Sequence, residues 1–512
     1  MNNLFNKREG AGWLQVPTIT VTILLFALLI GYLVGVGGIG IAGALLLLPF
    51  GVIFFFFLIK KPEIGLYTII VSSFLLLGSS RYIELPFPIG IIMDSLIVLT
   101  LIAIYIVNFP TKPDWKVVKR DTVVVGLVWF SYCIIQIANP EAKSFDAWMS
   151  AIRPVGFYPF ILPILGVYLL KTPDKVRILL YVWGIMSLLG TLKGMSQLYI
   201  GVDRWEQRWL DGGANLTHIL FGRLRVFSFY SDAGQFGGNQ AYTGVVFIIA
   251  SFGAKTLRDK IFYLLVGIMG IYGMFLSGTR GSMAVPFAGF ALYFLHRKNL
   301  SMIVIGALLG TVIFVFFKYT TIGQGNYQIN RMRTAFNPDD PSLLVRLENQ
   351  KKLKVYMATR PIGGGLGHGG SKAKKFLPYA FLSNVPTDSW YVLVWVELGV
   401  VGLVLHLILM FYVLIMGSYY LMFRVRDRSV QSLMSGFACG MLGIMAASYG
   451  NAIIGQMPSG QSVYIAMGLL LNSVAMDKRV RIQKRKATSK TKFRKLQRKQ
   501  LVFPRIEISH RY

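Results

Sequence analysis

The chain has 512 residues, 54% hydrophobic and only 15% charged, with mean hydropathy +0.57 and a formal charge of +31. Soluble domains carry about 25% charged residues, so this deficit excludes an ordinary soluble enzyme and points to an integral membrane protein. In a membrane protein so much positive charge is explained first by anchoring and orientation, and a nucleic-acid partner is not expected.

About 20 apolar residues in helix cross the hydrocarbon core. On that criterion the sequence predicts spans at 17–35, 39–59, 63–80, 88–108, 122–138, 154–170, 177–199, 240–254, 260–277, 281–296, 300–317, 389–422, 430–449 and 459–476. The expected fold is all-α: a polytopic transmembrane bundle of about fourteen spans with a long, partly helical external loop. The N-terminus 1–16 is short and charged, and no small-residue cleavage site follows it, so the first span is expected to stay uncleaved. Transmembrane helices then fill 17–199, a first external loop 200–240, further helices 241–317, a long external loop 318–388, the last helices 389–476 and a basic tail 477–512. The run 389–422 exceeds one span; a short interfacial helix joined through Gly399 and Gly402 to a full span accounts for it.

Orientation follows from the basic residues. Lys7/Arg8, Lys60/Lys61, the 112–120 and 171–177 loops, Lys255 to Lys260, Arg297/Lys298, Arg424 to Arg428 and the tail share one side, and the alternate short loops hold few cations. The positive-inside rule places both termini in the cytoplasm and the loops 200–240 and 318–388 outside. The tail RVRIQKRKATSKTKFRKLQRK is expected to be a disordered anchor on anionic lipid. Cys133 and Cys439 lie in apolar runs, which argues against a disulfide or a metal site.

The outer loops carry the candidate chemistry. Arg223 and Arg225 stand just before the return to the membrane, and Arg280 sits in the tight turn LSGTRGSM, which needs Gly and Ser but no arginine. Arg forks bind phosphate oxygens bidentately; interfacial anchoring and snorkelling are the plainer alternatives. In the long loop, Asp340-Pro341 has the form of an N-cap and N1 proline before an amphipathic helix over Ser342–Thr359. The stretch Arg360-Pro-Ile-Gly-Gly-Gly-Leu-Gly-His368-Gly-Gly ends that helix, dense enough in glycine for backbone amides to approach an anion. It lacks the Lys-Ser/Thr ending of a nucleotide P-loop.

Ser277-Gly-Thr-Arg280-Gly281, a long loop holding Arg346, Arg360-Pro361-Ile-Gly-Gly-Gly365, and Asp388-Ser-Trp-Tyr391 leading into Glu397-Leu-Gly399-Val-Val-Gly402 follow one another in that order. Together they resemble the O-antigen ligase and O-antigen polymerase superfamily over about 225–420. The resemblance implies a multispanning bacterial inner-membrane enzyme with a C-type glycosyltransferase fold. It implies glycosyl transfer from an undecaprenyl-diphosphate-linked donor to a glycan acceptor on the outer face, without metal, nucleotide or other cofactor. Membrane lipids and polysaccharide-assembly proteins are the further partners. The family's diphosphate-binding arginines fall on Arg225 and Arg280, and Arg346, Arg360 and His368 complete the expected substrate-binding set. Two departures stand out: Asp388-Ser389 replaces the His-Asn usual in ligases, and Ser228 and Ala233-Gly234 replace a Gly and a Pro-Asn. The missing histidine favours a surface-polysaccharide polymerase over a lipid A-core ligase.

The acceptor hydroxyl must lose a proton, and Asp388, Asp232, Glu397 and His368 are the candidate bases. Asp388 is preferred because it stands where the loop re-enters the membrane; a helix N-cap is its structural alternative. Different classes remain in play. A flippase for the same lipid-linked oligosaccharide would show midplane charges and related halves, and an export scaffold would use the basic tail as its dock.

Overall fold

The computed structural model describes residues 48–83, 87–220, 222–337 and 339–500, together with Val21, Tyr32 and Leu46. The N-terminus 1–16, the first expected span 17–35, part of the second at 39–59 and the end of the tail from 501 lie outside the described residues.

The described elements are α1 (Leu48–Lys60), α2 (Glu63–Ser79), α3 (Gly90–Val107), α4 (Arg120–Ile135), α5 (Phe145–Ile152), α6 (Tyr158–Leu169) and α7 (Pro173–Tyr199). The first outer loop then holds α8 (Arg204–Trp209), α9 (Asn215–His218) and a minimal antiparallel hairpin, β1 (Ile219–Leu220) with β2 (Arg223–Leu224). Next come α10 (Ala233–Ser251), α11 (Leu257–Leu276), α12 (Ala284–His296) and α13 (Leu300–Tyr319). The long loop folds into α14 (Tyr327–Arg333), α15 (Pro341–Met357), α16 (Gly370–Ala373) and α17 (Phe381–Asn384). The chain closes with α18 (Trp390–Phe423), α19 (Arg428–Ala447), α20 (Ser459–Leu471) and α21 (Ser473–Gln500).

The protein is thus an all-α polytopic membrane protein. Among the described residues eight helical runs are long and apolar enough to cross a membrane: α3, α4, the continuous run Phe145–Leu169, α7, α11, α13, α18 and α19. The helices α1, α2 and α20 are apolar but shorter. By contact the chain divides into a smaller unit, residues 1–65 with 99–113, and a larger one, 66–98 with 114–512. Within the smaller unit Gly65 packs so closely on Thr100 that a Cβ there would lie 2.0 Å from the threonine Oγ1.

The larger unit is built around α10. Every residue of this helix except Ile248 is buried, so its polar side chains need partners inside the bundle. Gln240 donates to the Ser187 carbonyl at 3.0 Å and accepts from Ser187 Oγ at 2.8 Å. Asn239 donates to Ser459 Oγ at 3.2 Å, and Trp183 donates to Thr243 at 2.9 Å. Small residues let neighbouring backbones close in, as in other membrane helix pairs. A Cβ at Gly270 of α11 would lie 2.8 Å from the Gln240 carbonyl oxygen, and one at Gly237 of α10 would lie 2.2 Å from Ser277 Oγ. This approach seats the turn after α11 on the N-terminus of α10.

Two sequence expectations change. The stretch after Asp477 was expected to lack structure, yet the chain continues helically to Gln500. Asp477 is buried and accepts the Arg426 and Asp427 amides at 3.2 and 2.8 Å, while Arg481 pairs with it at 2.7 Å. That anchor nucleates a helix which Lys, Arg and Gln readily propagate. The segment 139–153, expected as a plain outer connector, contains α5, capped by Ser144 and fused through residues 153–157 to α6.

Candidate functional site

The site forms at the end of the bundle where α10 begins and α11 ends. Asp232 caps α10, accepting the Gln235 amide at 2.9 Å and the Ser231 hydroxyl at 2.8 Å. Thr279, in the turn after α11, donates from its hydroxyl to the Ala233 carbonyl at 2.9 Å. Arg225, just past the hairpin, reaches the same hydroxyl at 3.4 Å and the Thr217 carbonyl at 3.2 Å. Arg331 of α14 donates from Nε to the Gly278 carbonyl at 2.6 Å and from Nη1 to Tyr327 at 3.3 Å. Three loops far apart in sequence therefore deliver Arg225, Arg280 and Arg331 to one place.

The electrostatics of that cluster are unbalanced. Burial, then the neighbouring Arg331 cation, push Arg225 down to about 10; Asp232 partly offsets this and Arg280 adds to it. The Nε of Arg225 is buried with no hydrogen-bond partner. A buried donor without an acceptor is costly, and adjacent cations repel. An anion placed among the guanidinium groups would relieve both.

Arg280 is satisfied from within. Its guanidinium donates to the Asp340 carboxylate, to Thr334 Oγ1 at 3.1 Å and to Ser342 Oγ at 2.8 Å. Asp340 does two jobs, since its other oxygen caps α15 by accepting the Leu343 amide at 3.1 Å. The Arg280 hydrogen bond is the leading reason its carboxyl is held below the usual carboxylate range. The expected N-cap and N1 proline are both present at Asp340 and Pro341, and the cap fastens the long loop to the arginine turn.

The segment 448–451 joins this cluster to Arg346 and Asp388. A Cβ on Gly281 would lie 2.7 Å from Asn451 Nδ2, and one on Gly450 would lie 3.9 Å from Arg346 Nη1. Arg346 Nε stands 3.4 Å from Asp388 Oδ2. The start of α18 is tied to the same segment: Trp390 donates its amide to the Ser448 carbonyl at 3.0 Å, and Ser389 Oγ donates to that carbonyl at 3.3 Å. Ser389, not Asp388, is the residue that caps α18. Asp388 instead adopts a left-handed conformation, φ 41°, which turns its side chain out of the helix start. Its carboxylate is half-exposed, 44% by side chain, beside a cation.

Arg360, His368 and the glycine turn have other partners. Arg360 pairs with Glu141 at 3.2 Å and lies 4.0 Å above the Tyr356 ring. His368 is buried and accepts the Ser144 amide at 3.1 Å on Nε2, leaving Nδ1–H to donate to the Leu366 carbonyl at 3.1 Å. Burial holds this ring below the usual imidazole range, in its neutral form. The turn was expected to offer amides to an external anion. Its amides are spent on α18: Gly364 donates to the Val396 carbonyl at 2.9 Å, Gly365 to the Glu397 carbonyl at 3.0 Å and Gly369 to the Glu397 carboxylate at 3.3 Å. The close approach works because α18 breaks at Gly399, φ 71°, where a Cβ would meet the Pro361 oxygen at 2.0 Å.

Lys193 and Asp94, both inside predicted spans, are paired internally. Lys193 meets Asp203 at 2.9 Å and Glu206 at 3.1 Å, and Asp94 meets Arg153 at 2.9 Å and Tyr158 at 2.7 Å. Arg81 holds the loop behind Arg225, donating to the carbonyls of Ser228 at 2.9 Å, Tyr230, and Ser231 at 3.2 Å, with its guanidinium against Trp209 and Phe227. Sequence reasoning missed Arg331 and Asn451. Arg331 is one cation among many in a basic loop, and 450–458 carries no charged residue that would single out Asn451. Among the described residues no group of three His, Cys, Asp or Glu is placed to hold a metal ion.

Residues 264–407 match the family model described as O-antigen ligase. That stretch contains Arg280, Arg331, Arg346 and Asp388; Arg225 and Asn451 lie outside it. No curated protein matches the chain.

Proposed function

We propose that the chain is a ligase- or polymerase-type glycosyltransferase that joins glycan units delivered on a polyprenyl diphosphate, a reading supported by the match of residues 264–407 to the O-antigen ligase family model. The observation that carries this reading is the convergence of Arg225, Arg280 and Arg331, one of them with an unpartnered buried Nε. The carrier is undecaprenyl diphosphate, and the site faces outward from the bacterial cytoplasmic membrane, as the alternation of basic loops supports. Asp388-Ser389, in place of the ligase His-Asn, favours a polymerase of repeat units.

In this mechanism the anomeric carbon of the donor is attacked by an acceptor hydroxyl, and the glycosyl–phosphate bond breaks. The departing diphosphate gains charge, which preorganised guanidinium donors stabilise without a proton transfer. Arg225 and Arg331 offer the open positions. Arg280 is held ready by Asp340 until the diphosphate shares or displaces that carboxylate. Asp388, exposed and beside Arg346, takes the proton from the acceptor hydroxyl. Arg360 and His368 act at a distance, shaping the glycine turn that fixes the break in α18.

The test is polymer formation by purified protein from a polyprenyl-diphosphate-linked repeat unit. Arg225→Lys and Arg280→Lys keep the charge and remove the fork; both are expected to lose most product at normal protein yield. Wild-type product from Arg225→Ala and from Arg280→Ala alike overturns the diphosphate assignment.

A further inference from the structure

A groove that this reading does not use reaches from the arginine side of the bundle, at Met274, Phe275 and Met283, to the opposite end, at Lys260, Arg297 and Arg428. It has a volume of about 1310 Å³ and runs between α11, α12 and α13, walled by residues such as Met274, Phe287, Phe290, Phe294, Ile303 and Phe316. Only 6% of the apolar stretch of α13 is buried, so the groove opens sideways along a helix that faces the surroundings.

One end of the groove is basic. Lys260 near the start of α11, Arg297 just past α12 and Arg428 at the start of α19 all line it. A second pocket, of about 370 Å³, shares Phe252, Lys260 and Arg428 with the groove and adds Lys255, Asp427 and Lys484. Asp427 is the one acidic residue among those lining either space. It is already engaged, capping α19 through the Ser429 and Val430 amides and pairing with Lys484.

We infer that this composite site binds an anionic glycerophospholipid, with its phosphate at Lys260 and Arg428 and its acyl chains in the groove. An apolar groove in a bilayer accepts any lipid tail; the cations at its mouth select among headgroups. The headgroup position is distinct from the donor site, although the apolar groove itself reaches Met283, three residues past Arg280. Lys260 and Arg280 lie at opposite ends of α11, whose 20 residues span about 30 Å, so one phosphate group cannot occupy both. The inference is therefore independent of the proposed glycosyl transfer.

Delipidated protein in detergent, titrated with phosphatidylglycerol or phosphatidylcholine and followed by thermal unfolding and native mass spectrometry, tests the assignment. Phosphatidylglycerol is expected to be retained and to raise the melting temperature more than phosphatidylcholine does. Lys260→Gln combined with Arg428→Gln should weaken phosphatidylglycerol on the order of 30-fold and leave phosphatidylcholine unchanged. Gly310 lines the groove, and a Cβ there would meet nothing within 4 Å. Gly310→Phe should therefore place a ring in the groove and reduce retention of both lipids while the protein stays folded. Equal retention of the two lipids by the wild-type protein overturns the inference, whatever the variants do. So does unchanged selectivity in the double variant. Stabilisation by a polyprenyl phosphate but not by phosphatidylglycerol also overturns it, and gives the groove to the carrier.

Discussion

Replacing Asp388 by Asn separates its chemical role from a structural one more cleanly than any other change in the site. The left-handed φ of 41° is tolerated by Asn about as well as by Asp, and Ser389 supplies the helix cap. The ion pair with Arg346 spans 3.4 Å between side chains 34% and 44% exposed, a setting in which such pairs contribute about 0–1 kcal/mol. Asp388→Asn should therefore change stability by less than about 1 kcal/mol. Asp388→Ala should cost about 1–2 kcal/mol, since an alanine resists the left-handed region. General bases contribute on the order of 10²–10⁴-fold in rate. Initial rates of transfer from a lipid-linked donor, with unfolding measured in parallel, should show Asn and Ala variants that are folded and both slowed by that factor. A folded Asn variant within about tenfold of wild type would refute the assignment, and would leave the acceptor proton to water or to the substrate itself.

Two further outcomes follow from the site's supports. Gly399→Ala forces a Cβ to 2.0 Å from the Pro361 oxygen at φ 71°, so thermal unfolding in detergent should show a loss of at least about 2 kcal/mol; Gly310→Ala, with open space, should be near neutral, and equal behaviour of the two refutes the argument. Asp340 is held below the ordinary carboxylate range by Arg280 first, so its stabilising effect is complete above its unfolded value of about 3.9 and is lost as pH falls through its lower folded value. Amide protection in α15 should fall on acidification below about pH 4; Asp340→Asn, which keeps the cap but not the charge, should remove that dependence.

The sequence by itself determined the class of the molecule and several of its joints. Runs of about 20 apolar residues specify membrane helices because nothing else satisfies the backbone in lipid. Asp340-Pro341 marks a helix start because the cap and the proline act within one turn. Gly399 marks the break in α18 because only glycine enters that conformation freely. These are local effects, legible wherever they occur.

Tertiary structure decided which charges are open and which are already matched. Arg360 and Arg225 look alike in sequence, yet one is fastened to Glu141 over a tyrosine ring while the other is buried in the repulsive field of Arg331. The glycine turn looked like an anion cradle, but its amides are taken by α18. Asn451 and Arg331 carried no local signal at all; they reach the site because glycines on α10 and α11 let two helices close and bring the turn at 277–283 onto a buried helix end. A side chain's partner across the bundle depends on helix packing, and packing is set by shape complementarity summed over many residues, which no short stretch of sequence contains.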